Sequence, residues 1–166
     1  MKSKIHEVKK LNKIMSKKTF ITLLLVLGSF AVQAQELTWE TDINKAIKVS
    51  NKTKKPMLLF FTGSDWCGWC IRLQKEVLKT PEFADWAKKN VVLVELDYPR
   101  KAPQTDVIKA QNAGLQQTFG IQGFPTVWFA TAKQKDGKPS FTGIGNTGYV
   151  AGGPTAWLAV ADGILK

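Results

Sequence analysis

Two cysteines carry the clearest chemical potential in this sequence, and they stand three positions apart, as Cys67 and Cys70. An apolar run typical of a buried strand precedes them, so they lie where a strand turns into a helix. Cys67 would stand at the helix N-terminus, where free backbone N–H groups and the helix dipole favour an anion. That environment lowers a thiol pKa, and the thiolate is the form that attacks disulfides. Cys70 would follow one turn later on the same face, within reach of Cys67.

A C-x-x-C motif can be a redox couple, half of a zinc site or an inert pair. Structural zinc sites use four ligands, and a chain with two cysteines cannot complete a Cys site. The single histidine, His6, lies in the basic N-terminal stretch. If that stretch is removed, no histidine remains for a zinc site, a Cys–His pair or a His-based triad. The residues therefore favour the redox couple, and we expect no metal or organic cofactor.

The N-terminus has the layout of an export signal. Lysines precede a mostly apolar run at 20–32, which ends in small residues at Val32 and Ala34. The run is shorter than the ~20 residues that cross a bilayer comfortably. We predict a signal peptide over 1–34, with Met15 as an alternative start and cleavage before Gln35. A core helix and an uncleaved anchor are the alternatives. A cleaved chain would be periplasmic or secreted, where disulfides persist.

The net charge of +11 is concentrated at one end of the chain. Residues 1–34 carry a net +6, and residues 35–166 carry a net +5. Nucleic-acid-binding proteins usually concentrate basic charge in patches or stripes. In residues 35–166 only Lys52, Lys54 and Lys55 cluster, and a solvated loop explains them better than a binding patch. We therefore expect no nucleic-acid partner.

Hydrophobic periodicity and turn residues predict alternating helices and strands in one domain, 35–166. The predicted helices are 39–50, a helix from the cysteines that kinks or restarts at Pro81, 105–118 with an interruption near 112–114, and 155–165. The predicted strands are 57–61, 91–97, 126–130 and 140–144, the last two joined by a hairpin turn at 135–138. No repeat or low-complexity segment indicates a second domain.

These motifs together resemble the thioredoxin superfamily, over essentially all of residues 35–166. The W-C-G-W-C sequence at 66–70 is similar to the thioredoxin W-C-G-P-C, with Trp69 in the place of proline. The stretch 111–126 looks like the segment that leads into the family's cis-proline loop, which would make Pro125 the cis residue. The loop at 61–65 resembles secreted bacterial thioredoxin-like proteins more than cytosolic thioredoxin. The resemblance implies an α/β thioredoxin fold, with a central mixed sheet of four to five strands and helices on both faces.

The resemblance also implies roles for individual residues. Cys67 would be the attacking nucleophile and Cys70 the buried resolving thiol. Backbone groups beside the cis-proline would pair with an extended substrate segment as a neighbouring strand does. The two tryptophans would form an apolar rim, with core packing as the alternative, which is less favoured for Trp69 and equally favoured for Trp66. The predicted substrate-binding residues are Trp66, Gly68, Trp69, Phe124 and Pro125.

Two departures from the family pattern bear on the chemistry. Thioredoxin has a buried aspartate in the strand before its cysteines, where this chain has Phe60 or Phe61. Glu95 or Asp65 could assist proton transfer instead, although we interpret them as a strand-end and a loop charge. Trp69 also cannot supply the positive charge that a histidine between the cysteines supplies in strong oxidants. We expect a potential in the reducing half of the span from about −270 mV to about −120 mV.

The favoured function is an exported thiol–disulfide oxidoreductase that reduces or exchanges disulfides in exported proteins. It would act as a monomer and receive electrons from a membrane-bound thiol donor, since the chain has no NADPH or flavin motif. Reduction is favoured over isomerisation, and a dedicated oxidase is least favoured. The rival is a non-catalytic binding module with a structural Cys67–Cys70 disulfide. Cross-linking so short a loop stabilises little, which argues against the rival.

Overall fold

The structure is a computed structural model that describes residues 37–135 and 138–166. The predicted signal peptide and its cleavage site lie outside the described residues, as do residues 136 and 137 of the predicted hairpin turn. Helices α1 to α5 span Ile43–Thr53, Gly68–Leu73, Pro81–Asn90, Asp106–Thr118 and Gly153–Leu165, and a π-helical turn, Gln74–Leu78, continues α2. Strands β1 to β4 span Met57–Thr62, Val92–Asp97, Thr126–Lys135 and Lys138–Thr147. Across the described ranges, no helix is both long and apolar enough to span a membrane.

The four strands form one mixed sheet in the order β2-β1-β3-β4. β1 and β2 are parallel, while β3 runs antiparallel to β1 and to β4. Glu40 extends the edge of β2 by an isolated parallel bridge with Val94. β3 and β4 continue to the pair Lys135 and Lys138, so this hairpin is longer than predicted. The mixed sheet of the predicted thioredoxin fold is confirmed.

Helices cover both faces of the sheet. Alternate residues of β1 face opposite ways, and all of them are buried because both faces are covered. Leu58 and Phe60 face a core that also contains both cysteines, and we call this side the cysteine face. It is covered by α2, the π-helical turn, α3 and α5. Leu59 and Phe61 face the other core, which α1 and α4 cover. The helix that carries the cysteines thus shares a hydrophobic core with β1.

Side-chain caps explain where several helices begin. The Asp42 carboxylate accepts hydrogen bonds from the first turn of α1. The Thr80 hydroxyl accepts one from Phe83, and Pro81 is the first residue of α3. Proline at the first helical position lacks only an N–H that the helix does not use. The restart at Pro81 is therefore confirmed.

The predicted interruption of the helix at 105–118 is wrong, because α4 is continuous from Asp106 to Thr118. The Asn112 side chain donates to the Asp97 carbonyl at 2.8 Å, so this polar residue anchors the helix to β2. Gly114 is exposed, and an added Cβ there would meet no atom within 4 Å. Glycine and asparagine weaken a helix only modestly, and tertiary anchoring outweighs that preference.

Candidate active site

The two cysteines form a disulfide at the start of α2. Cys67 is the N-cap residue, and its Sγ accepts a hydrogen bond from the Cys70 backbone N–H at 3.2 Å. Cys70 has no exposed surface, whereas Cys67 keeps 6% of its surface exposed. Cys67 is therefore the more accessible cysteine of the pair. Cys67 is also the sulfur that the helix N-terminus would stabilise as a thiolate.

The loop before the cysteines is hydrogen-bonded to the loop after β2. Ser64 donates to the Asp97 carboxylate through its backbone N–H at 2.8 Å and its hydroxyl at 2.6 Å. The Asp65 carboxylate accepts three backbone N–H groups, from Arg100, Lys101 and Ala102. These hydrogen bonds, that of Arg100 first, lower the pKa of Asp65. Asp65 is thus a loop charge with a structural role, as the sequence indicated.

Trp66 is held in one orientation at the edge of the site. Its indole N–H donates to the Tyr98 carbonyl at 2.8 Å, and its ring meets the Phe124 ring edge-on at a centroid distance of 5.8 Å. The Arg100 guanidinium lies 4.0 Å from the centroid of the Trp66 ring. The side chain is 36% exposed. Trp66 therefore combines packing with exposure, so neither of the two interpretations excludes the other.

Trp69 projects from α2 on the other side of the motif and is 55% exposed, so it is not a core residue. Its ring lies 5.1 Å from the Tyr149 ring, and the Arg72 guanidinium lies over both rings. The Glu76 carboxylate accepts from Arg72 Nε at 2.8 Å and from the Tyr149 hydroxyl at 2.6 Å. Hydrogen bonds from Tyr149 and then Arg72 lower the pKa of Glu76. The role of Trp69 in meeting a partner stays a prediction.

The Phe124–Pro125 peptide bond is cis, at the position that the sequence indicated. Thr126 begins β3 opposite Phe61, so the cis bond lies at the end of β1 from which the chain continues to the cysteines. The Phe124 ring packs on the Tyr98 ring at 5.0 Å. Thus Trp66, Phe124 and Pro125 gather at the end of the sheet that carries the disulfide.

Gly68, the remaining predicted binding residue, is the first residue of α2. It is exposed, and a Cβ added there would meet no atom within 4 Å. The space over the first turn of α2, beside both cysteines, is therefore open.

Phe60, and not Phe61, lies on the cysteine face. Glu95 is opposite Phe60 in the sheet, and the two side chains line one cavity of about 190 Å³ together with Trp39 and Gln74. Burial raises the pKa of Glu95, and the negative charge of Asp97 raises it further. Glu95 is thus a half-buried carboxylate that shares a cavity with Gln74 of the π-helical turn, and its surroundings differ from the strand-end charge that we expected.

Several side chains around the disulfide were not identified from the sequence. Arg72 and Glu76 could have been, because residues three and four positions apart share one face of a helix and so align with Trp69. Arg100 and Tyr149 have no such signal, since each reaches a tryptophan from a distant part of the chain. Within the described ranges, no group of three or more His, Cys, Asp or Glu residues could hold a metal ion.

Comparison with known proteins agrees with this geometry. Residues 43–159 match the Thioredoxin-like domain family. The chain is 33% identical over 135 residues to the disulfide bond reductase DsbH of Chlamydia pneumoniae, a match that covers 81% of this chain and 76% of DsbH. It is 30% identical over 155 residues to the thioredoxin-related protein DsbJ of Chlamydia pneumoniae, covering 90% of this chain but 44% of DsbJ.

Solved structures show the same relationship. The structure of a DsbH oxidoreductase superposes with a TM-score of 0.70 and 31% identity, covering 82% of this chain and 90% of that one. A thioredoxin from Thermus thermophilus, at 15% identity and a TM-score of 0.56, shares the fold, with 77% of this chain and 86% of that one covered. By its sequence and its fold, this chain belongs to the thioredoxin-like domain family of the thioredoxin superfamily.

Proposed function

We propose that this protein is an exported thiol–disulfide oxidoreductase that reduces disulfides in extracytoplasmic proteins through Cys67 and Cys70. The observation that carries the proposal is the asymmetry of the pair. Cys67 caps a helix and keeps 6% of its surface exposed, while Cys70 is fully buried. Attack from one sulfur and resolution by the other require this arrangement.

The proposed reaction begins with both cysteines reduced. The Cys67 thiolate attacks one sulfur of a partner disulfide, and the other partner sulfur leaves as a thiolate that takes up a proton. The Cys70 thiol then loses its proton and attacks the Cys67 sulfur, which releases the first partner sulfur as a thiol. The partner gains two electrons and two protons, and Cys67 and Cys70 return to the disulfide. Each further turnover needs a dithiol donor.

Two features support reduction over oxidation. Trp69, between the cysteines, carries no charge, and Arg72 beside it is paired with Glu76. The buried Phe60 side chain lies in the same hydrophobic core as the cysteines and carries no charge. Neither adds positive charge that would stabilise the reduced thiolate, and a less stabilised thiolate makes a couple more reducing. The relative named disulfide bond reductase, DsbH, is consistent with that direction.

The proposed location follows from the predicted signal peptide over 1–34, with cleavage near Ala34. A reductase outside the cytoplasm must be re-reduced there, so we propose a membrane-bound dithiol as the electron donor. The partners would be exported proteins that contain disulfides.

The first experiment is the reduction potential of the Cys67–Cys70 pair, measured by equilibration with glutathione or dithiothreitol and alkylation of the thiols. We expect a value near that of thioredoxin, about −270 mV. A value of about −120 mV would indicate an oxidase instead. A disulfide that these reductants cannot open would favour the structural staple of a binding module.

Single substitutions then test the roles of the two sulfurs. Cys67→Ser should abolish disulfide reduction, because the attacking sulfur is removed. Cys70→Ser should accumulate mixed disulfides with partner proteins, because the resolving thiol is absent. Full activity of Cys67→Ser would refute the proposal.

A further inference from the structure

Two arginines flank the disulfide, each placed over one of the two exposed tryptophans. The Arg100 guanidinium lies 4.0 Å from the centroid of the Trp66 ring. The Arg72 guanidinium lies 5.4 Å from the centroid of the Trp69 ring. A planar guanidinium stacks favourably on an aromatic face and keeps its N–H donors directed outward. Both cations therefore belong to the rim that a partner must cross to reach Cys67.

The two arginines differ in their charge partners. Arg72 is paired with the Glu76 carboxylate at 2.8 Å, so its charge is compensated within the protein. Around Arg100, by contrast, no carboxylate oxygen of the described residues lies within 4.0 Å of the guanidinium. The nearby Asp65 carboxylate is occupied by backbone N–H groups, including that of Arg100 itself. The arginine beside Trp69 is thus ion-paired, whereas the Arg100 guanidinium beside Trp66 has no ion pair with a carboxylate of the described residues.

The position of Arg100 is determined by its neighbours. The Arg100 backbone N–H donates to the Asp65 carboxylate at 3.0 Å. The Trp66 ring beneath the Arg100 guanidinium is itself fixed, because its indole N–H donates to the Tyr98 carbonyl at 2.8 Å. Trp66 also touches Phe124, the residue before the cis-proline. A preformed cation loses little freedom when it binds an anion, which favours binding. Arg100 therefore presents a placed positive charge beside the backbone that would pair with a bound segment.

We propose that Arg100 is a specificity-determining residue that binds an acidic side chain next to the partner's disulfide. This inference rests on the proposed function. The bound segment would be extended and would carry its Asp or Glu on the Trp66 side of the site. Electrostatic complementarity across such a rim selects partners and raises the association rate. The inference concerns which exported disulfides are reduced fastest, and it leaves the exchange chemistry unchanged.

The test compares three short peptides, each supplied as a symmetric disulfide with a self-quenched fluorophore pair. Both residues beside the cysteine are Glu in the first peptide, Gln in the second and Lys in the third. The purified protein, with both cysteines reduced, is mixed with each peptide in a single turnover, so no electron donor is needed. Exposed ion pairs of this kind change an equilibrium by roughly two- to fivefold. We expect Glu peptides to react about two- to fivefold faster than Gln peptides, with a smaller ratio at high salt.

Variants assign the preference to Arg100. Arg100→Gln should bring the Glu-to-Gln ratio to about one, and Arg100→Lys should retain part of it, because the charge stays while the planar stacking is lost. The double variant Arg72→Gln with Glu76→Gln should preserve the ratio, since it removes a compensated ion pair and leaves the net charge unchanged. Lys89→Gln is the control for net charge. Lys89 is exposed near the end of α3, just before β2 begins, and this end of the sheet is the one far from the cysteines. Unfolding in urea verifies that each variant is folded.

The outcomes separate the inference from the proposed function. If the protein reduces no peptide disulfide, the proposed function fails. If it reduces all three peptides equally, or if Lys89→Gln lowers the ratio as much as Arg100→Gln, the role of Arg100 is refuted while the function stands. A preference for Glu that Arg100→Gln alone removes supports the inference.

Discussion

Ser64 binds both carboxylate oxygens of Asp97, with its backbone N–H at 2.8 Å and its hydroxyl at 2.6 Å. Ser64 precedes the cysteine motif, and Asp97 is the last residue of β2, so this contact joins the loop before α2 to the adjacent strand. Together with the three N–H groups on Asp65, it connects two loops that are far apart in the sequence. The position of the cysteines therefore depends on residues more than thirty positions away.

Asp97→Ala should destabilise the protein, because it leaves the Ser64 backbone N–H without an acceptor in a partly buried position. The expected loss is about 1–3 kcal/mol in the free energy of unfolding, measured in urea. Ser64→Ala should cost less, because it removes the hydroxyl and keeps the backbone bond. Asp85→Ala, at an exposed site in α3, is the control and should change stability by less than about 0.5 kcal/mol. Equal effects of the two aspartate variants would contradict this account.

Gly63→Ala should also destabilise the protein, because a Cβ at this position would lie 2.4 Å from Trp66 Cε2. Either the indole or the loop must move, and overpacking of this kind costs about 1–3 kcal/mol. The double variant with Trp66→Ala should recover the part of the loss that is due to the clash. Gly114→Ala, in an open position of α4, should instead stabilise by about 0.5–1 kcal/mol. Urea unfolding of the parent protein, both single variants of this pair, the double variant and Gly114→Ala measures both effects.

Glu95 should make stability depend on pH. Its pKa is raised in the folded protein, chiefly by burial. Below the unfolded-state pKa both states are protonated, and the group has no effect. As the pH rises from there through the folded-state pKa, the unfolded state ionises first, and the folded state loses stability relative to it. Glu95→Gln stays neutral, so its stability relative to the parent protein should increase over that window and then level off.

The measurement for Glu95 is the free energy of urea unfolding of the oxidised protein from acidic to neutral pH. Glu82→Gln, at an exposed site in the first turn of α3, is the control with the same change of charge. A parallel pH profile for Glu95→Gln and the parent protein would show that the carboxylate is not desolvated.

Tyr149→Phe should raise the pKa of Glu76. The Tyr149 hydroxyl is the leading cause of the lowered Glu76 pKa, ahead of Arg72. Arg72→Gln should raise the Glu76 pKa as well, because it removes both a hydrogen bond and the positive charge beside the carboxylate. Titration of the Glu76 carboxyl carbon by NMR measures both shifts. An unchanged Glu76 pKa in Tyr149→Phe would contradict this account.

Local patterns in the sequence were sufficient for the elements and for the cysteine pair. The apolar run of β1, the restart at Pro81 and the cap position of Cys67 depend on neighbours within a few positions, so periodicity and helix-end chemistry predict them. The cis bond before Pro125 was accessible through the motif that surrounds it. The break near 112–114 was predicted wrongly, because the preference of glycine and asparagine was overridden by the bond from Asn112 to β2.

What the sequence by itself determined was a single α/β domain of the thioredoxin fold, with a C-x-x-C pair at a helix N-terminus. Only the tertiary structure decided what surrounds that pair: Arg100 over Trp66, Tyr149 against Trp69, and Glu95 beside Phe60. These contacts join residues from separate elements, and no periodicity along the chain encodes such a meeting. It arises from the order of the strands and the packing of helices and loops at one end of the sheet, which is where the charge and shape of the rim are set.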